Sequence, residues 1–225
     1  MNRNLHQTTT TPQVCPLCRC AGSKHLIFET RKNRRYWHCR FCDLVFVDRD
    51  ALPTTEQEKE VYTFHQNSPE HLGYVAFLQR IIQPGLPYLT PAMRGLDYGC
   101  GPGPTLSVLL EREGIHCHNY DPIFFSEDPQ GPFDFIFATE CFEHFHSPAA
   151  ELSRLNSLLQ PRGYLFIMTE LWHEQIDFRT WYYKTDPTHV SFYHLNSFDF
   201  ICRQYGFKIL TSHSSRILLL QKKKP

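Results

Sequence analysis

The chain has 225 residues, of which 41% are hydrophobic and 14% aromatic, enough for one medium-sized domain with a real core and a small additional segment. Its 23 basic and 23 acidic side chains cancel, which argues against a general attraction to nucleic acid or anionic membranes. No apolar run approaches the roughly 18 residues of a membrane span, and the first residues lack the apolar stretch of a signal peptide. We therefore expect a soluble, cytoplasmic protein without a membrane span, in which clustered cysteines indicate metal binding rather than disulfides.

The N-terminal segment is rich in cysteine. Residues 1–12 are polar and threonine-rich, which predicts a disordered tail, and residues 13–47 carry two Cys-x2-Cys pairs twenty residues apart. The paired cysteines are Cys15, Cys18, Cys39 and Cys42. Four thiolates in this spacing are typical of a tetrahedral zinc site, and because such a site has no open position, the zinc would be structural. A segment this small cannot fold on its own core, so residues 13–47 are predicted to form a zinc ribbon folded by its metal.

The stretch RKNRRYWHCR, residues 31–40, combines basic and aromatic side chains inside the predicted ribbon. Glu29 is the only acidic residue before Cys42, so this segment is locally basic although the whole chain is neutral. One interpretation is a surface that binds RNA or a phosphorylated substrate. The other, which the neutral overall charge favours, is a solvated charged loop.

Residues 48–90 predict a helical cap followed by a linker. Apolar positions recur at helical spacing from 54 to 83, and Ser68-Pro69 is expected to divide this stretch into two helices. Three prolines and a glycine between residues 83 and 93 predict the linker.

Beyond residue 93, strand-like and helix-like segments alternate, which predicts a mostly parallel α/β sheet with helices on both faces over residues 91–225. Strands are expected at 95–100, 115–121, 133–140 and 164–170, helices at 105–114, 149–160 and 197–206, and a closing hairpin at 207–212 and 215–221. Pro161-Arg162-Gly163 is expected to stop the second of these helices. The hairpin would add antiparallel strands at one edge of the sheet.

A glycine-rich turn follows the first of these strands. Asp97 precedes Gly99, Gly101 and Gly103, and Asp121 ends the next strand. Glycines let the backbone approach a ligand, the following helix offers free N–H groups, and an acid at this distance can accept hydrogen bonds from ribose hydroxyls. The turn lacks the Gly-x-Gly-x-x-Gly spacing of NAD sites. We expect a ligand that contains ribose; the alternative is a tight turn that binds nothing.

Three motifs in this region, LDYGCGPG, FDFIFATECFEHF and LLQPRGYLFIMTE, resemble those of class I S-adenosylmethionine-dependent methyltransferases of the ubiquinone-methyltransferase-like type. The resemblance covers residues 94–222, and EVYTFHQNSPEHLGYVAFL is similar to the leader of a bacterial subgroup that carries a zinc ribbon. It implies a Rossmann-like fold and S-adenosylmethionine as the cofactor. The cofactor-binding residues that it implies are Tyr62, His65, Asp97, Gly99, Gly101, Gly103, Asp121 and Glu140.

The chain departs from this family between Asp121 and Phe133. Family members usually place another helix and strand there, and that strand often supplies an acid for adenine. We therefore expect a shortened sheet edge, with Phe124 or Phe125 either packing on adenine or serving only as core.

A Glu-x-x-Glu-His sequence, formed by Glu140, Glu143 and His144, follows the strand expected at 133–140. On one helical turn these side chains would share a face. The pattern is similar to the metal site of ubiquinone-pathway and RNA 3′-end O-methyltransferases, which implies a divalent cation, Mg²⁺ or Mn²⁺, with His189 as a further ligand. The alternative is that these residues only line the pocket and begin a helix.

Without a metal ion, a histidine would act as general base, since imidazole titrates near neutral pH. The candidates are His144, His189 and His194. His189 is the leading one, because it lies in a polar loop after the last parallel strand, on the side of the sheet where ligands bind.

The sequence favours methyl transfer to a small-molecule acceptor, or to a sugar or lipid precursor. The first alternative is an RNA methyltransferase whose ribbon grips nucleic acid, and salt-sensitive RNA binding would reveal it. The second is a noncatalytic module that binds the cofactor, and binding of S-adenosylhomocysteine without any methylation would reveal that one.

Overall fold

In the computed structural model, which describes residues 14–22, 24–31, 33–64 and 67–224, the chain forms two β-sheets and five α-helices. The strands are β1 (Lys24–Glu29), β2 (Arg35–Cys39), β3 (Val45–Val47), β4 (Arg94–Tyr98), β5 (His116–Tyr120), β6 (Phe133–Thr139), β7 (Leu159–Met168), β8 (Ser191–Phe192), β9 (Phe207–His213) and β10 (Ile217–Lys222). The helices are α1 (Thr55–Thr63), α2 (Leu72–Gly85), α3 (Thr105–Arg112), α4 (Pro148–Leu158) and α5 (Leu195–Tyr205). The predicted tail at residues 1–12 and the predicted cofactor residue His65 lie outside the described residues.

The larger sheet has the strand order β5-β4-β6-β7-β10-β9. The strands β4 to β7 pair in parallel, and β10 runs antiparallel to both β7 and β9. This arrangement confirms the predicted parallel sheet with an antiparallel hairpin at one edge. β6 is buried over most of its length, as is usual for a parallel strand that is covered on both faces.

Helices cover both faces of this sheet, which confirms the α/β architecture. One apolar core takes Leu155 from α4 and Phe198 from α5, and the opposite core takes Ile82 from α2 and Leu110 from α3. Since the faces are covered, the carboxyl ends of the parallel strands are the part of the sheet that a ligand can reach. None of the helices in the described part of the chain is long and apolar enough to cross a bilayer.

Gly95 in β4 is required by packing. It lies opposite Phe135 of β6, and a Cβ at this position would come within 2.0 Å of the Phe135 ring. The ring therefore occupies the space that any larger residue would need.

The sheet ends at β5, as the shortened edge predicts. Between Asp121 and Pro132, all of which the structure describes, the chain forms one isolated bridge, from Asp121 to Phe125, and no further strand. β5 is consequently the edge strand of the larger sheet.

The smaller sheet has the order β1-β2-β3-β8, and every pair in it is antiparallel. Its first three strands come from the cysteine-rich segment, whereas β8 comes from the chain between β7 and α5. The indole N–H of Trp172 also donates to the carbonyl of Asp43 at 3.0 Å. The N-terminal segment is thus joined to the chain that follows β7 by main-chain and side-chain hydrogen bonds.

Two boundaries differ from the prediction, although the expected break between two cap helices is confirmed. The linker begins later, because α2 includes Pro84 and ends at Gly85; a proline in the last turn removes only one intrahelical hydrogen bond. The helix predicted at 149–160 ends at Leu158. Pro161-Arg162-Gly163 instead lies in an irregular stretch at the start of β7, where Arg162 has a φ of 69°.

Candidate functional site

A cavity of about 680 Å³ opens at the carboxyl edge of the larger sheet. Its walls come from the turns after β4, β5 and β6, from α1 and α2, and from the loop that contains Asp186 and His189. Ligands of open parallel sheets bind at this edge, so the cavity is the candidate active site.

The glycine-rich turn after β4 forms one wall of the cavity. Gly99 and Gly101 have positive φ values of 82° and 65°, a backbone conformation that favours glycine. The N–H of Gly99 donates to the carbonyl of Tyr120 at 2.8 Å and binds the turn to the end of β5. Gly103 does not line the cavity; it lies against the segment before α2, where a Cβ would come within 1.8 Å of the Asn67 carbonyl oxygen.

Asp121 lies at the end of β5 and lines the cavity. Its Oδ2 accepts the N–H of Gly101 at 3.1 Å, and its Oδ1 accepts the N–H groups of Ile123 and Phe124 at 2.9 Å and 3.1 Å. These donors fix the carboxylate, which keeps lone pairs for further hydrogen bonds. Asp121 is therefore held firmly at the place where the sequence predicts a ribose contact.

The turn after Asp121 brings Ile123 to the cavity wall, rather than Phe124 or Phe125. The N–H and carbonyl groups of Asp121 and Phe125 bond to each other, at 3.0 Å and 3.1 Å, and close a tight turn between them. Neither phenylalanine lines this cavity, so the structure gives no support to packing on adenine, and that alternative stays a prediction.

Asp97 is buried at the end of β4 and does not itself line the cavity. Burial and the nearby Asp121 raise the pKa of Asp97 to about 7. A cationic group nearby would stabilise the ionised carboxylate. Asp97 is therefore a group that a cationic ligand near the glycine-rich turn would help to ionise.

The helices α1 and α2 cover the cavity. Tyr62 from α1 and Tyr74 from α2 line it, and burial raises the pKa of both phenols. The ring of Tyr62 meets the ring of His144 edge-on, with 5.3 Å between centroids. Asn67 links this cap to the sheet domain, since its carbonyl accepts the hydroxyl of Thr105 at 3.3 Å. No sequence pattern distinguishes Tyr74 from a core residue of α2.

Glu143, His144 and His189 form a compact group in the cavity wall. One potential ligand atom from each lies within 4.8 Å of the other two. Glu143 is fully buried, and its two oxygens accept the hydroxyls of Thr169 and Tyr183 at 2.8 Å and 2.5 Å. The structure thus brings together three of the residues that the sequence predicts for chemistry.

Backbone carbonyls orient both imidazoles of this group. Nδ1 of His189 lies 2.6 Å from the carbonyl oxygen of Tyr183, and Nδ1 of His144 lies 3.1 Å from that of Thr188. Because a carbonyl oxygen only accepts, each neutral ring carries its hydrogen on Nδ1 and leaves Nε2 as an acceptor. Burial lowers the pKa of His144, which keeps that ring neutral near pH 7. Two Nε2 lone pairs are therefore available for a proton or a metal ion.

Glu140 lines the cavity but does not join this group, which corrects the predicted metal set. The expected helical turn does not form: residues 142–144 make a single 3-10 turn, and Glu140 precedes it with a φ of 49°. Both oxygens of Glu140 lie 3.3 Å from Nη1 of Arg216. Burial and the charge of Glu143 raise the pKa of Glu140, and Arg216 opposes the rise.

His194 lies outside the cavity and caps α5. Its Nδ1 accepts the N–H of Asn196 at 3.1 Å, its Nε2 lies 3.4 Å from Glu174, and its ring packs on Trp172 with 4.8 Å between centroids. The expectation of His194 as a general base is therefore corrected, because both ring nitrogens face groups outside the cavity.

The wall next to β5 carries two polar pairs. The hydroxyl of Tyr98 donates to Glu151 at 2.5 Å, and Arg154 donates to the hydroxyl of Tyr120 at 2.7 Å. Glu151 and Arg154 lie one turn apart on α4 and line the cavity. The sequence does not separate them from ordinary surface residues of an amphipathic helix.

The four cysteines of the N-terminal segment come together, as predicted. The Sγ atoms of Cys15 and Cys42 are 3.6 Å apart, and those of Cys18 and Cys39 are 3.5 Å apart. These distances are far longer than a disulfide bond and close to the edge of about 3.8 Å that a tetrahedron of 2.3 Å Zn–S bonds would have. All four thiols are free. The donor set and its spacing fit a zinc ion.

Two matching turns present these sulfurs. The carbonyl of Cys15 accepts the N–H of Arg19 at 3.0 Å, and the carbonyl of Cys39 accepts the N–H of Asp43 at 2.8 Å. Arg19 and Asp43 both have positive φ values, 62° and 53°. Each Cys-x2-Cys pair therefore lies in a turn of the same geometry, closed by a left-handed residue.

Comparison with solved structures identifies the fold, whereas curated proteins gave no sequence match. An O-methyltransferase family protein from Burkholderia thailandensis is similar, with 15% identity, a TM-score of 0.53, and coverage of 78% of this chain and 65% of its own. Mitomycin 7-O-methyltransferase is similar with 14% identity, a TM-score of 0.51, and coverage of 68% and 56%. This chain spans less than two thirds of the length of either protein, and at these identities the likeness shows the fold alone.

A family model described as a methyltransferase domain matches residues 70–212, well over half of the chain. The matched range contains the glycine-rich turn, Asp121 and the group around His189. This chain belongs to the methyltransferase domain family.

Proposed function

We propose that this protein transfers a methyl group from S-adenosylmethionine to a small-molecule acceptor, or to a sugar or lipid precursor, in the cavity at the carboxyl edge of the larger sheet. The observation that carries the proposal is the convergence of a glycine-rich turn, a fixed aspartate and two oriented imidazoles on one cavity. When bound, S-adenosylmethionine supplies an activated methyl group. The remaining tasks belong to residues of this chain.

The residues proposed to hold the cofactor surround the glycine-rich turn. The backbone of Gly99 and Gly101 allows close approach, and the fixed carboxylate of Asp121 is suited to accept two ribose hydroxyls. Tyr62 would cover the ligand from α1, and the cationic groups of the ligand would favour ionisation of the buried Asp97.

The cavity favours a small acceptor that is uncharged or cationic. Its volume of about 680 Å³ is ordinary for a small-molecule site, and the cofactor must share this space. Among the described residues, the lining contains one guanidinium, of Arg154, and six carboxyl groups, of Glu58, Asp121, Glu140, Glu143, Glu151 and Asp186. Such a wall repels the phosphates of RNA or of a phosphorylated acceptor.

Two arginines of the basic hairpin are engaged inside the protein. Arg34 donates to the carbonyls of Pro187 and His189, and Arg35 pairs with the buried Asp48. Arginines that are engaged inside the protein are not free to neutralise phosphates. These contacts support a small-molecule acceptor over RNA.

His189 is the proposed general base. Its Nε2 would accept a proton from an acceptor hydroxyl or amine as the oxygen or nitrogen attacks the methyl carbon. The imidazolium formed in this step would be stabilised by Asp186, whose Oδ2 lies 3.9 Å from Nε2.

The test is incubation with methyl-labelled S-adenosylmethionine and fractionated cell extract. We expect label in a small-molecule fraction and calorimetric binding of S-adenosylhomocysteine. His189→Ala should keep this binding and lose about 10²-fold in turnover, while His194→Ala, outside the cavity, is the matched control and keeps turnover. Label in RNA alone would contradict the acceptor class, and full turnover by His189→Ala would contradict the base. Binding without label in any fraction would favour the noncatalytic module.

A second proposal places a divalent cation on Glu143, His144 and His189. The close approach of the three ligand atoms supports it, as do the two Nδ1–carbonyl contacts, which turn the other ring nitrogen of each imidazole away from these carbonyls. Two imidazoles suit Mn²⁺ better than Mg²⁺, which prefers oxygen ligands, and a bound cation would lower the pKa of an acceptor hydroxyl. Treatment with EDTA should then abolish turnover, and Mn²⁺ should restore it. Unchanged turnover in EDTA would remove this proposal.

The cysteine cluster is proposed to hold a structural zinc ion. The corresponding domains are a zinc ribbon at 13–47, a helical cap and linker at 48–90, and the methyltransferase domain at 91–225. Elemental analysis of purified protein should find one zinc per chain, and Cys39→Ser should lose it. A metal-free wild-type protein with an intact fold would contradict the assignment.

A further inference from the structure

The guanidinium of Arg34, in the N-terminal segment, bonds to the loop that carries His189. Nη1 and Nη2 of Arg34 donate to the carbonyls of Pro187 and His189, at 2.7 Å and 2.8 Å. The carbonyl between these two, that of Thr188, accepts the Nδ1–H of His144 at 3.1 Å. Arg34 therefore fixes the peptide units on either side of the one that orients His144.

The direction of the Arg34 side chain is itself set by local structure. Its N–H donates to Oγ1 of Thr30 at 3.0 Å, and its carbonyl accepts the N–H of Thr30 at 2.9 Å, which closes the turn between β1 and β2. The guanidinium lies 5.7 Å from the ring centroid of Tyr36, a buried residue of β2. A closed turn and a packed ring thus aim the guanidinium at the loop.

Main-chain bonds hold the same loop on both sides. The N–H of Val47 in β3 donates to the carbonyl of Val190 at 3.0 Å, next to the β3–β8 pairing of Phe46 with Ser191. On the opposite side, the N–H of Val190 donates to the carbonyl of Glu143 at 2.8 Å. The loop is therefore fixed between the N-terminal sheet and the wall of the cavity.

We propose that Arg34 is a positioning residue for the active site: by holding the carbonyls of Pro187 and His189, it fixes the backbone that directs the imidazoles of His144 and His189. In consequence, the four-cysteine segment supports the active site from outside, since none of its described residues lines the cavity. The role in methyl transfer rests on the function proposed above, whereas the coupling of Arg34 to the two imidazoles does not. Lysine would be a poor replacement, because one ammonium group cannot reproduce the planar fork that reaches two carbonyls.

The direct test is nuclear magnetic resonance of the full-length protein with ¹⁵N-labelled histidine, which reports each tautomer without a methyl acceptor. In the wild type, His144 and His189 are expected as Nδ1–H tautomers. In Arg34→Ala the Nε2–H form should rise at both, since rings released from their carbonyls exchange between tautomers, and Arg34→Lys should give an intermediate result. Arg40→Ala is the matched control, because Arg40 belongs to the same segment and its Nε donates to His25.

The functional readout is the labelled-methyl assay. Arg34→Ala should lower kcat by about tenfold to hundredfold, as a displacement of about 1 Å can do, with unchanged affinity for S-adenosylhomocysteine. Unchanged tautomers in Arg34→Ala would overturn the proposal. Should that variant fail to fold, unchanged tautomers in Arg34→Lys would overturn it equally. A wild-type protein that does not bind S-adenosylhomocysteine but shows the tautomer change would overturn the proposed function and leave the coupling standing.

Discussion

The two sheets of this protein are stabilised in different ways. The six-stranded sheet lies between two apolar cores, in which Phe137 stacks on Phe166 with 4.4 Å between ring centroids. In the four-stranded sheet no residue of β1 is fully buried, while three of the four clustered cysteines are. The smaller sheet has an apolar cluster of its own, which includes Tyr36, Val45 and Phe192, and part of the cysteine-rich segment packs into a core of the larger sheet. Apolar burial therefore stabilises both sheets, and the proposed zinc ion would add to the stability of the smaller one. The difference teaches that a functional loop can be positioned by the region with the smaller apolar cluster, where the proposed metal ion would add rigidity.

Removal of the proposed zinc ion is expected to give the largest difference in stability between the two sheets, because structural zinc contributes about 10–16 kcal/mol to folding in small zinc domains. Cys39→Ser should abolish hydrogen-exchange protection of β1 to β3, while β4 to β7 keep theirs. Cys20→Ser, a cysteine outside the cluster, is the control that keeps zinc. Equal loss of protection in both sheets would break the distinction between them.

The larger sheet should be the one that responds to a change in packing. Gly95→Ala places a methyl group within 2.0 Å of the Phe135 ring and is expected to lower the free energy of unfolding by about 3 kcal/mol. Gly22→Ala, where the new methyl meets nothing within 4 Å, should leave it unchanged. Denaturant titration measures both values, and zinc content should stay constant in both variants. A Gly95→Ala protein as stable as the wild type would show that the core can make room.

The free energy of unfolding should depend on pH through Asp97, a residue of the larger sheet. The folded protein keeps a proton on Asp97 up to about pH 7, whereas the unfolded chain releases it near 3.8. The folded state binds more protons between these values, so Asp97 makes stability fall as the pH rises from about 4 to 7. This pKa shift corresponds to about 4 kcal/mol of lost stability above pH 7. Because burial of the asparagine amide also costs free energy, Asp97→Asn should raise the free energy of unfolding by about 2 kcal/mol at pH 8.

Denaturant titration of Asp97→Asn at pH 4 and pH 8 separates this effect from a general one. No gain is expected at pH 4, where the wild-type carboxyl is already protonated and the cost of the buried amide remains. An equal gain at both pH values would show that titration of Asp97 is not the cause.

The smallest expected effect concerns the turns of the N-terminal segment. Arg19 has a φ of 62°, and relief of this strain in Arg19→Gly should stabilise the segment by about 1 kcal/mol. Slower loss of zinc to a chelator measures the gain. Asp43→Gly is the informative partner, because Asp43 shares the conformation but also bonds to His38 and Asn196. Stabilisation by both variants would show that those two bonds contribute little.

Local signals account for what the sequence predicted well. Apolar runs and glycine spacing predicted the parallel sheet and the turn at Gly99 and Gly101, because both depend on neighbouring residues. The Cys-x2-Cys spacing predicted the convergence of the four thiols for the same reason. Each of these patterns lies within a short stretch of chain, and the Cys-x2-Cys pattern occurs twice with the same spacing.

Tertiary placement accounts for the rest. His189 and His194 are both histidines in the chain after β7, yet only His189 lines the cavity, because His194 is used as a helix cap. Glu140 lies apart from Glu143, His144 and His189, because the expected helical turn does not form and Glu140 itself has a positive φ. Arg34 and His189 are 155 residues apart, and no local pattern connects them.

The two-residue strand β8 has a consequence for producing parts of this protein. A shortened chain that begins after Val47 would leave the backbone of Ser191 and Phe192 without its partner strand and would open the fully buried Phe192 to water. Unpaired edges of this kind template pairing between copies, so the isolated catalytic half is expected to self-associate when expressed alone. A chimaera that takes its N-terminal segment from a relative would need residues that match at the contact between β3 and β8.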